Sequence, residues 1–192
     1  MNTNLPKLIV VEGVDSVGKT TLARRLEAEL GYSYLYTPQV PLNTIREMVE
    51  EMGDINTRFF YYLSAVVAVQ PQLKEMIASG KRVVVDRYIY STIAMHSVLG
   101  ASVKTVSMRD LPILWPDAGF LLTTEASVRA ERMRARAKQP THDKKIERFV
   151  KEAEDAIEIY RSFSELVPVD TTFLNIDGVF HEVKRLLRRQ LC

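Results

Sequence analysis

Eight residues near the amino terminus carry the first recognisable chemistry. Gly13-Val14-Asp15-Ser16-Val17-Gly18-Lys19-Thr20 fits the pattern G-x-x-x-x-G-K-[ST] without a mismatch. Four residues between the glycines wrap the backbone into a nest of N–H donors around a phosphate. The glycines admit dihedrals and close approach that a side chain would obstruct. A helix starting at this turn aims its positive end at the same anion. Lys19 would span the terminal phosphates, and the Thr20 hydroxyl would serve magnesium. Nucleotide binding is therefore expected over Gly13, Val14, Asp15, Ser16, Val17, Gly18, Lys19, Thr20 and Thr21. A chance strand-to-helix turn is the competing reading.

Asp86-Arg87-Tyr88 follows the apolar run Val83-Val84-Val85. Alone, an aspartate there often caps a helix and an arginine often sits in water. Beside a phosphate-binding turn, Asp86 could hold magnesium or its waters and Arg87 could grip a second phosphate bidentately. A third group, Arg129, Arg132, Arg134, Arg136 and Lys138, with Lys144 and Lys145 beyond, reads either as a solvated helix face or as a lid. A lid would fold arginines onto the transferring phosphoryl group, and Pro140-Thr141-His142 would serve as its hinge.

Elements with defined periodicity must position these groups. Leu8–Val11 reads as a doubly covered strand, and Leu22, Ala23, Leu26 and Leu30 give the next helix its inward stripe, ended by Gly31. Further strands are expected at Tyr32–Tyr36, Val83–Val85, about Ala118–Thr123 and Thr172–Ile176. Helices are expected from Asn43 through Met52, from Asp54 to Gly80 with a break at Pro71, and as two segments before Trp115. Others are expected over Glu125–Arg136 and Lys145–Leu166, and from about Val179. Ala137–Asp143 reads as a mobile basic loop. Five strands separated by helices require parallel pairing, and right-handed crossovers collect ligands at the carboxyl ends of strands. Both motif-bearing turns lie at such ends.

Composition narrows the rest. The 192 residues suit one domain, and 46% hydrophobic with 26% charged residues is ordinary globular usage. Twenty-six Lys+Arg against 24 Asp+Glu leave a formal charge of +2, so no nucleic-acid partner is expected, and the basic face of Lys184, Arg185, Arg188 and Arg189 reads as solvated. No apolar run approaches membrane-spanning length and no secretory signal opens the chain, so a cytoplasmic protein without a membrane partner is expected. Cys192 stands alone, excluding an intrachain disulfide. His96, His142 and His181 lack zinc-like spacing, leaving magnesium as the expected metal.

These residues together resemble the thymidylate kinase family of nucleoside monophosphate kinases. Glu12-Gly13-Val14-Asp15 with Gly18-Lys19-Thr20-Thr21 is similar to its phosphate loop, including an aspartate that the family places near the acceptor's sugar. Val85-Asp86-Arg87-Tyr88, with Ser91 and Ala94, is similar to its Asp-Arg-Tyr/Phe segment. Pro116-Asp117, Arg132–Arg136, Asp143 and Ile146-Glu147 resemble its fourth strand and lid. Ile176-Asp177-Gly178 resembles the turn after its last strand, near the donor base.

The resemblance implies a P-loop NTPase-type α/β three-layer sandwich: a five-stranded parallel sheet flanked by helices, a single domain over 1–192, and a basic lid over about 134–145. It implies transfer of the γ-phosphate of Mg·ATP to dTMP, with ATP and Mg2+ held by the phosphate loop. Thr20 and Asp86 would serve the metal, and Lys19, Arg87, Asp15 and either Arg134 or Arg136 the transfer. It also implies a homodimer, for which Asp54–Ser79 is the candidate segment.

The chain departs from the family at the acceptor. Tyr36-Thr37-Pro38-Gln39-Val40 replaces an Arg-Glu-Pro-Gly-Gly stretch, Val66-Val67 replaces the Asp-Arg pair whose arginine contacts thymine, and Met95-His96 replaces Tyr-Gln. Phe59 or Phe60 could instead stack on a base or, as aromatics at helical spacing, pack in the core. Gln70 could read a base edge or be solvated. Arg46 or Arg58 could meet a phosphate, with Arg58 also readable as a surface charge. Two other functions stay open at this point: a kinase for dUMP, UMP, CMP, a modified pyrimidine or a nucleoside, and a non-catalytic ATP-binding regulatory module.

Overall fold

The computed structural model describes residues 5–136 and 143–189, without the side chains of residues 136, 143–150 and 189. Most of the expected lid, including the loop at 137–142, and Cys192 lie outside the described residues.

β1 (Leu8–Glu12) is buried at every position, as a strand covered on both faces must be. It feeds α1 (Lys19–Leu30), whose Leu22, Ala23 and Leu26 face inward; Gly31 supplies the left-handed turn, φ 69°, that ends it. β2 (Ser33–Tyr36) follows. The helix expected from Asn43 to Met52 is split. Thr44 N–H bonds the Pro41 carbonyl, tightening Leu42–Ile45 into a 3-10 turn, and only α2 (Arg46–Glu51) is α-helical.

Asp54 caps α3 (Ile55–Ala68) by accepting the Thr57 N–H at 2.6 Å. Pro71, lacking an N–H, falls in the first turn of a separate α4 (Gln70–Ala78). β3 (Val83–Asp86) and α5 (Ile89–Val98) come next. Instead of a second helix before Trp115, the chain makes two three-residue 3-10 turns, Val103–Thr105 and Met108–Asp110. β4 (Ala118–Thr123) and α6 (Ala126–Arg136) follow as the sequence pattern predicts.

α7 (Asp143–Arg161) ends before Leu166, and β5 is Leu166–Asp170, not Thr172–Ile176. α8 (Ile176–Arg189) begins at Ile176 rather than Val179, so Ile176-Asp177-Gly178 is its first turn. Thr171–Asn175 is the turn after the last strand. Pro168 hides β5 from propensity arguments. The strand tolerates it because β5 lies at the sheet edge, where a missing N–H need not break a ladder.

Among the described residues the sheet runs β2-β3-β1-β4-β5, every pair parallel. α1 and α8 pack on each other and on the sheet; α5 and α7 pack together, with α7 also against β4 and β5. With right-handed crossovers, the leftward step β1→β2 and the rightward steps that follow place these two helix pairs on opposite faces. Register sets Val11 beside Asp86, so both motifs leave the sheet at one edge, side by side. No helix among the described residues is long and apolar enough to cross a membrane.

Phe59 and Val66 on α3 are fully buried, and Val67 packs against the same core. Phe59 is therefore a core residue and not a platform for a base. Phe59→Ala is expected to lower the unfolding free energy by about 3 kcal/mol or more. Phe59→Leu is expected to keep acceptor preference unchanged, which urea titration and an acceptor panel would check.

Candidate active site

The turn after β1 needs its glycine. Gly13 sits at φ 134°, and a Cβ there would lie 2.4 Å from the Leu122 carbonyl of β4. Ser16 (φ 67°) and Gly18 (φ 100°) complete a loop of left-handed and extended residues. Val14 and Val17 anchor it in the core, leaving the backbone between them to face a cavity of about 240 Å3. Asp15, Ser16, Gly18, Lys19, Thr20 and Thr21 all line that cavity.

Lys19 is buried and donates to the Val14 carbonyl at 2.6 Å. Burial and the nearby Arg87 guanidinium push its pKa down to about 7, while Asp15, Asp86 and Glu12 oppose the fall. Arg87 reaches across from the end of β3, ion-pairing with Asp15 through Nη2 and approaching the Gly13 carbonyl at 3.5 Å. Burial opposes the Arg87 charge, but Asp15 and its neighbours hold it above the ordinary arginine value. Surrounding protein likewise opposes the Asp15 charge; Arg87 and Lys19 outweigh it and keep that carboxyl below the usual range. Asp15 and Arg87 thus hold each other charged, while Lys19 beside them is left with its own charge weakened.

The Thr20 hydroxyl donates to Asp86 Oδ2, and the Tyr34 hydroxyl reaches the same oxygen at 3.4 Å. Asp86 Oδ1 is buried with no hydrogen-bond partner among the described residues. One hydroxyl and one under-used carboxylate beside a phosphate cradle suit magnesium, which binds through few protein ligands and keeps waters and substrate phosphates. No cluster of three or more His, Cys, Asp or Glu suited to a metal occurs among the described residues, so an all-protein cage is not the site's design.

A second cavity, about 650 Å3, opens on the far side of Arg87. Asp15, Thr37, Arg46 and Arg87 line both cavities, so the two share one wall. Deeper in, Glu50 accepts from Tyr62 and from Arg58 Nη2 (2.8 Å), and the Tyr62 ring lies 5.3 Å from that of His96. Gln70 is not here. It is buried, bonding the Val66 carbonyl, the Tyr88 hydroxyl and the Leu114 N–H, and is a structural tie instead of a base reader.

α6 presents its arginines unequally. Arg129 is almost wholly buried in the wall of the larger cavity, with Glu154 and Asp15 close enough to counter the downward pull of burial on its pKa. Arg132 donates to the Thr171 carbonyl (3.0 Å) and hydroxyl (3.1 Å), tying α6 to the turn after β5. Thr171 in turn reaches the Val17 carbonyl at 3.3 Å. Arg134 is exposed, and the Arg136 side chain lies outside the described residues. Of the two readings of this basic group, the solvated helix face does not hold at Arg129.

The family model for thymidylate kinase matches residues 11–183, spanning both motifs and every strand but the first residues of β1. The chain belongs to the thymidylate kinase family. The family is one of ATP-dependent phosphotransferases. A probable thymidylate kinase of Methanocaldococcus jannaschii is 28% identical over 180 residues, 91% of this chain and 92% of that protein. One of Thermoplasma volcanium is 29% identical over 195 residues, covering 95% and 98%. Among solved structures, the thymidylate kinase of Candida albicans shares the fold, with a TM-score of 0.73 at 18% identity over 96% of this chain and 92% of that one.

The structure adds Tyr160, Glu50 and Tyr62 to the site, and gives positions to Glu12 and Ser91, which the sequence offers only as parts of the family resemblance and with no role of their own. The burial of Glu12 follows from β1 being central, a fact of topology. Burial is the chief influence on its carboxyl and pushes the pKa up to about 7, despite hydrogen bonds from Ser91 and Tyr88 and the Arg87 charge. The folded state thus holds this proton to about pH 7, whereas the unfolded chain releases it near pH 4.5. Between those values the unfolded state binds fewer protons, so this group's contribution to stability falls as pH rises. Glu12→Gln is expected to remove that slope. The variant's stability relative to wild type should rise by roughly 1–3 kcal/mol between pH 5 and pH 8, read by denaturant titration.

Proposed function

We propose that this chain is a magnesium-dependent thymidylate kinase, passing the γ-phosphoryl group of ATP to dTMP and giving dTDP and ADP. The carrying observation is the shared wall: Asp15 and Arg87 line both the phosphate-loop cavity and the larger one beyond it. A donor phosphate on one side and an acceptor phosphate on the other would meet at these residues.

An oxygen of the acceptor phosphate attacks the γ-phosphorus, and the bond to the β–γ bridging oxygen breaks with its electron pair leaving on ADP. The acceptor oxygen is already anionic, so no protein base is needed. Lys19 and Arg87 neutralise charge growing on the equatorial and bridging oxygens, and the backbone N–H groups of the loop hold the donor still. Asp15 keeps Arg87 aimed. Arg134 or Arg136 supplies a further cation; Arg129, in the cavity wall, is a third source. Thr20 and Asp86 would hold magnesium, which supplies charge neutralisation between donor phosphates when bound.

The larger cavity is of a size that suits a nucleotide. With Val67 in the core, another pair must read the base. His96 Nδ1 lies 2.8 Å from the Thr92 carbonyl, which forces the proton onto Nδ1 and leaves a lone pair on Nε2. Burial holds the ring's pKa below its ordinary value, keeping it neutral. Neither His96 Nε2 nor Arg58 Nε has a hydrogen-bond partner among the described residues. One acceptor and one cationic donor match the N3–H and O4 of thymine better than the N3 and N4 of cytosine.

The homodimer remains a proposal, supported by half-exposed Phe60 on α3, and sedimentation equilibrium reads it directly. So do the single domain with its lid and the cytoplasmic setting.

Lys19→Ala is expected to lower kcat by at least a thousandfold without unfolding the protein, by coupled assay and circular dichroism; turnover within tenfold of wild type would reject the mechanism. In wild type, kcat/KM for dTMP should exceed that for dCMP by tenfold or more, with dUMP between them. His96→Leu should cut that preference. A flat profile over dTMP, dUMP, UMP and CMP would reject the thymine reading.

A further inference from the structure

Arg87 stands at φ 68°, a conformation that costs an L-residue about 1–2 kcal/mol. Hydrogen bonds on both sides hold it there. Its N–H donates to the Val11 carbonyl at 3.1 Å, Thr37 Oγ1 donates to its carbonyl at 2.9 Å, and the next N–H, of Tyr88, donates to Glu12 Oε1 at 2.9 Å. Glu12 is the expensive member of this set. It is a carboxyl group with no exposed surface, where an amide would cost less to bury but, with one acceptor oxygen, could not accept both the Tyr88 N–H and the Ser91 hydroxyl.

The second Glu12 oxygen accepts the Ser91 hydroxyl, and Ser91 Oγ accepts the Tyr160 hydroxyl at 2.9 Å. α5 has no side-chain cap of its own at Tyr88, so β1 lends it one, and the positive end of the helix favours a charge at that point. Tyr160, also fully buried, belongs to α7, whose Glu152 and Ala153 line the larger cavity. One carboxylate therefore joins β1, α5 and α7 directly behind the strained arginine.

We propose that Glu12 is the positioning residue for Arg87: its carboxylate fixes the Tyr88 peptide and, through Ser91 and Tyr160, registers α7 against the transfer site. The inference rests on the phosphoryl-transfer reading of Arg87. It explains why a carboxyl group with two acceptor oxygens is kept where stability alone would not keep one.

Steady-state kinetics with Mg·ATP and dTMP, alongside thermal unfolding, test it in wild type, Glu12→Gln, Tyr160→Phe and the double variant. Glu12→Gln is expected to lose tenfold or more in kcat, with KM for ATP within twofold and a Tm no lower than wild type. Tyr160→Phe should lose three- to tenfold, and adding it to Glu12→Gln should cost little more, because the two act through one chain of hydrogen bonds. A Glu12→Gln enzyme with kcat within twofold of wild type overturns the proposal. Losses that multiply in the double variant overturn the link to α7. Should Glu12→Gln not fold, Ser91→Ala crossed with Tyr160→Phe decides by the same non-additivity. Wild type active on dTMP, with the variants unimpaired, would reject this inference alone. Wild type inactive on every acceptor would reject the transfer reading and this inference with it.

Discussion

Two cations, Lys19 at the start of α1 and Arg87 just past the end of β3, are held close together, and the site depends on how that repulsion is managed. In the protein interior such a pair is costly unless carboxylates compensate it. Asp15 takes one face of Arg87, Asp86 and Glu12 lie within electrostatic reach of both, and Lys19 still has its pKa drawn down to about 7. A site under that tension is prepared for a polyanion. Phosphate oxygens arriving on either side of Arg87 would relieve the repulsion, strengthen both cations and free Lys19 from the Val14 carbonyl.

The sheet order makes this possible. Placing β3 directly beside β1 sets Asp86 opposite Val11, so a glycine loop and an aspartate–arginine pair, 66 residues apart at Thr20 and Asp86, meet through a hydrogen bond. The two cavities then divide at Arg87 and Asp15. α6 and α7 close the larger one, with Arg129 buried in its wall, and Arg132 locks α6 to the turn after β5.

Much of this could be read from residues alone, for identifiable reasons. The loop is a local motif whose spacing encodes its own geometry, and Asp86-Arg87 sits at the end of an unbroken valine run, so both survive without tertiary knowledge. The fifth strand was misplaced because Pro168 argues against a strand everywhere except at an edge, and edges are known only from topology. For Phe59 the sequence leaves core packing and base stacking both open, for Gln70 base reading and solvation, and for Arg129 a solvated face and a lid, because helical spacing does not say what each face meets. Glu12 stands in the segment that resembles the family's phosphate loop, but its role is not legible there: a carboxylate ending an apolar run shows its burial only once three elements close around it. At the acceptor, the sequence shows which familiar arginine is absent, whereas the pair proposed to read the base, Arg58 and His96, is drawn from two different helices, α3 and α5, that line one cavity.

The central event is the passage of a phosphoryl group across the shared wall from one cavity to the other. Phosphorus-31 NMR of the protein with Mg·ATP and dTMP reads that event directly. Equal amounts of dTDP and ADP, formed together as ATP and dTMP decline, are the expected result. ATP left intact, or ADP accompanied by free phosphate with dTMP unchanged, would contradict it.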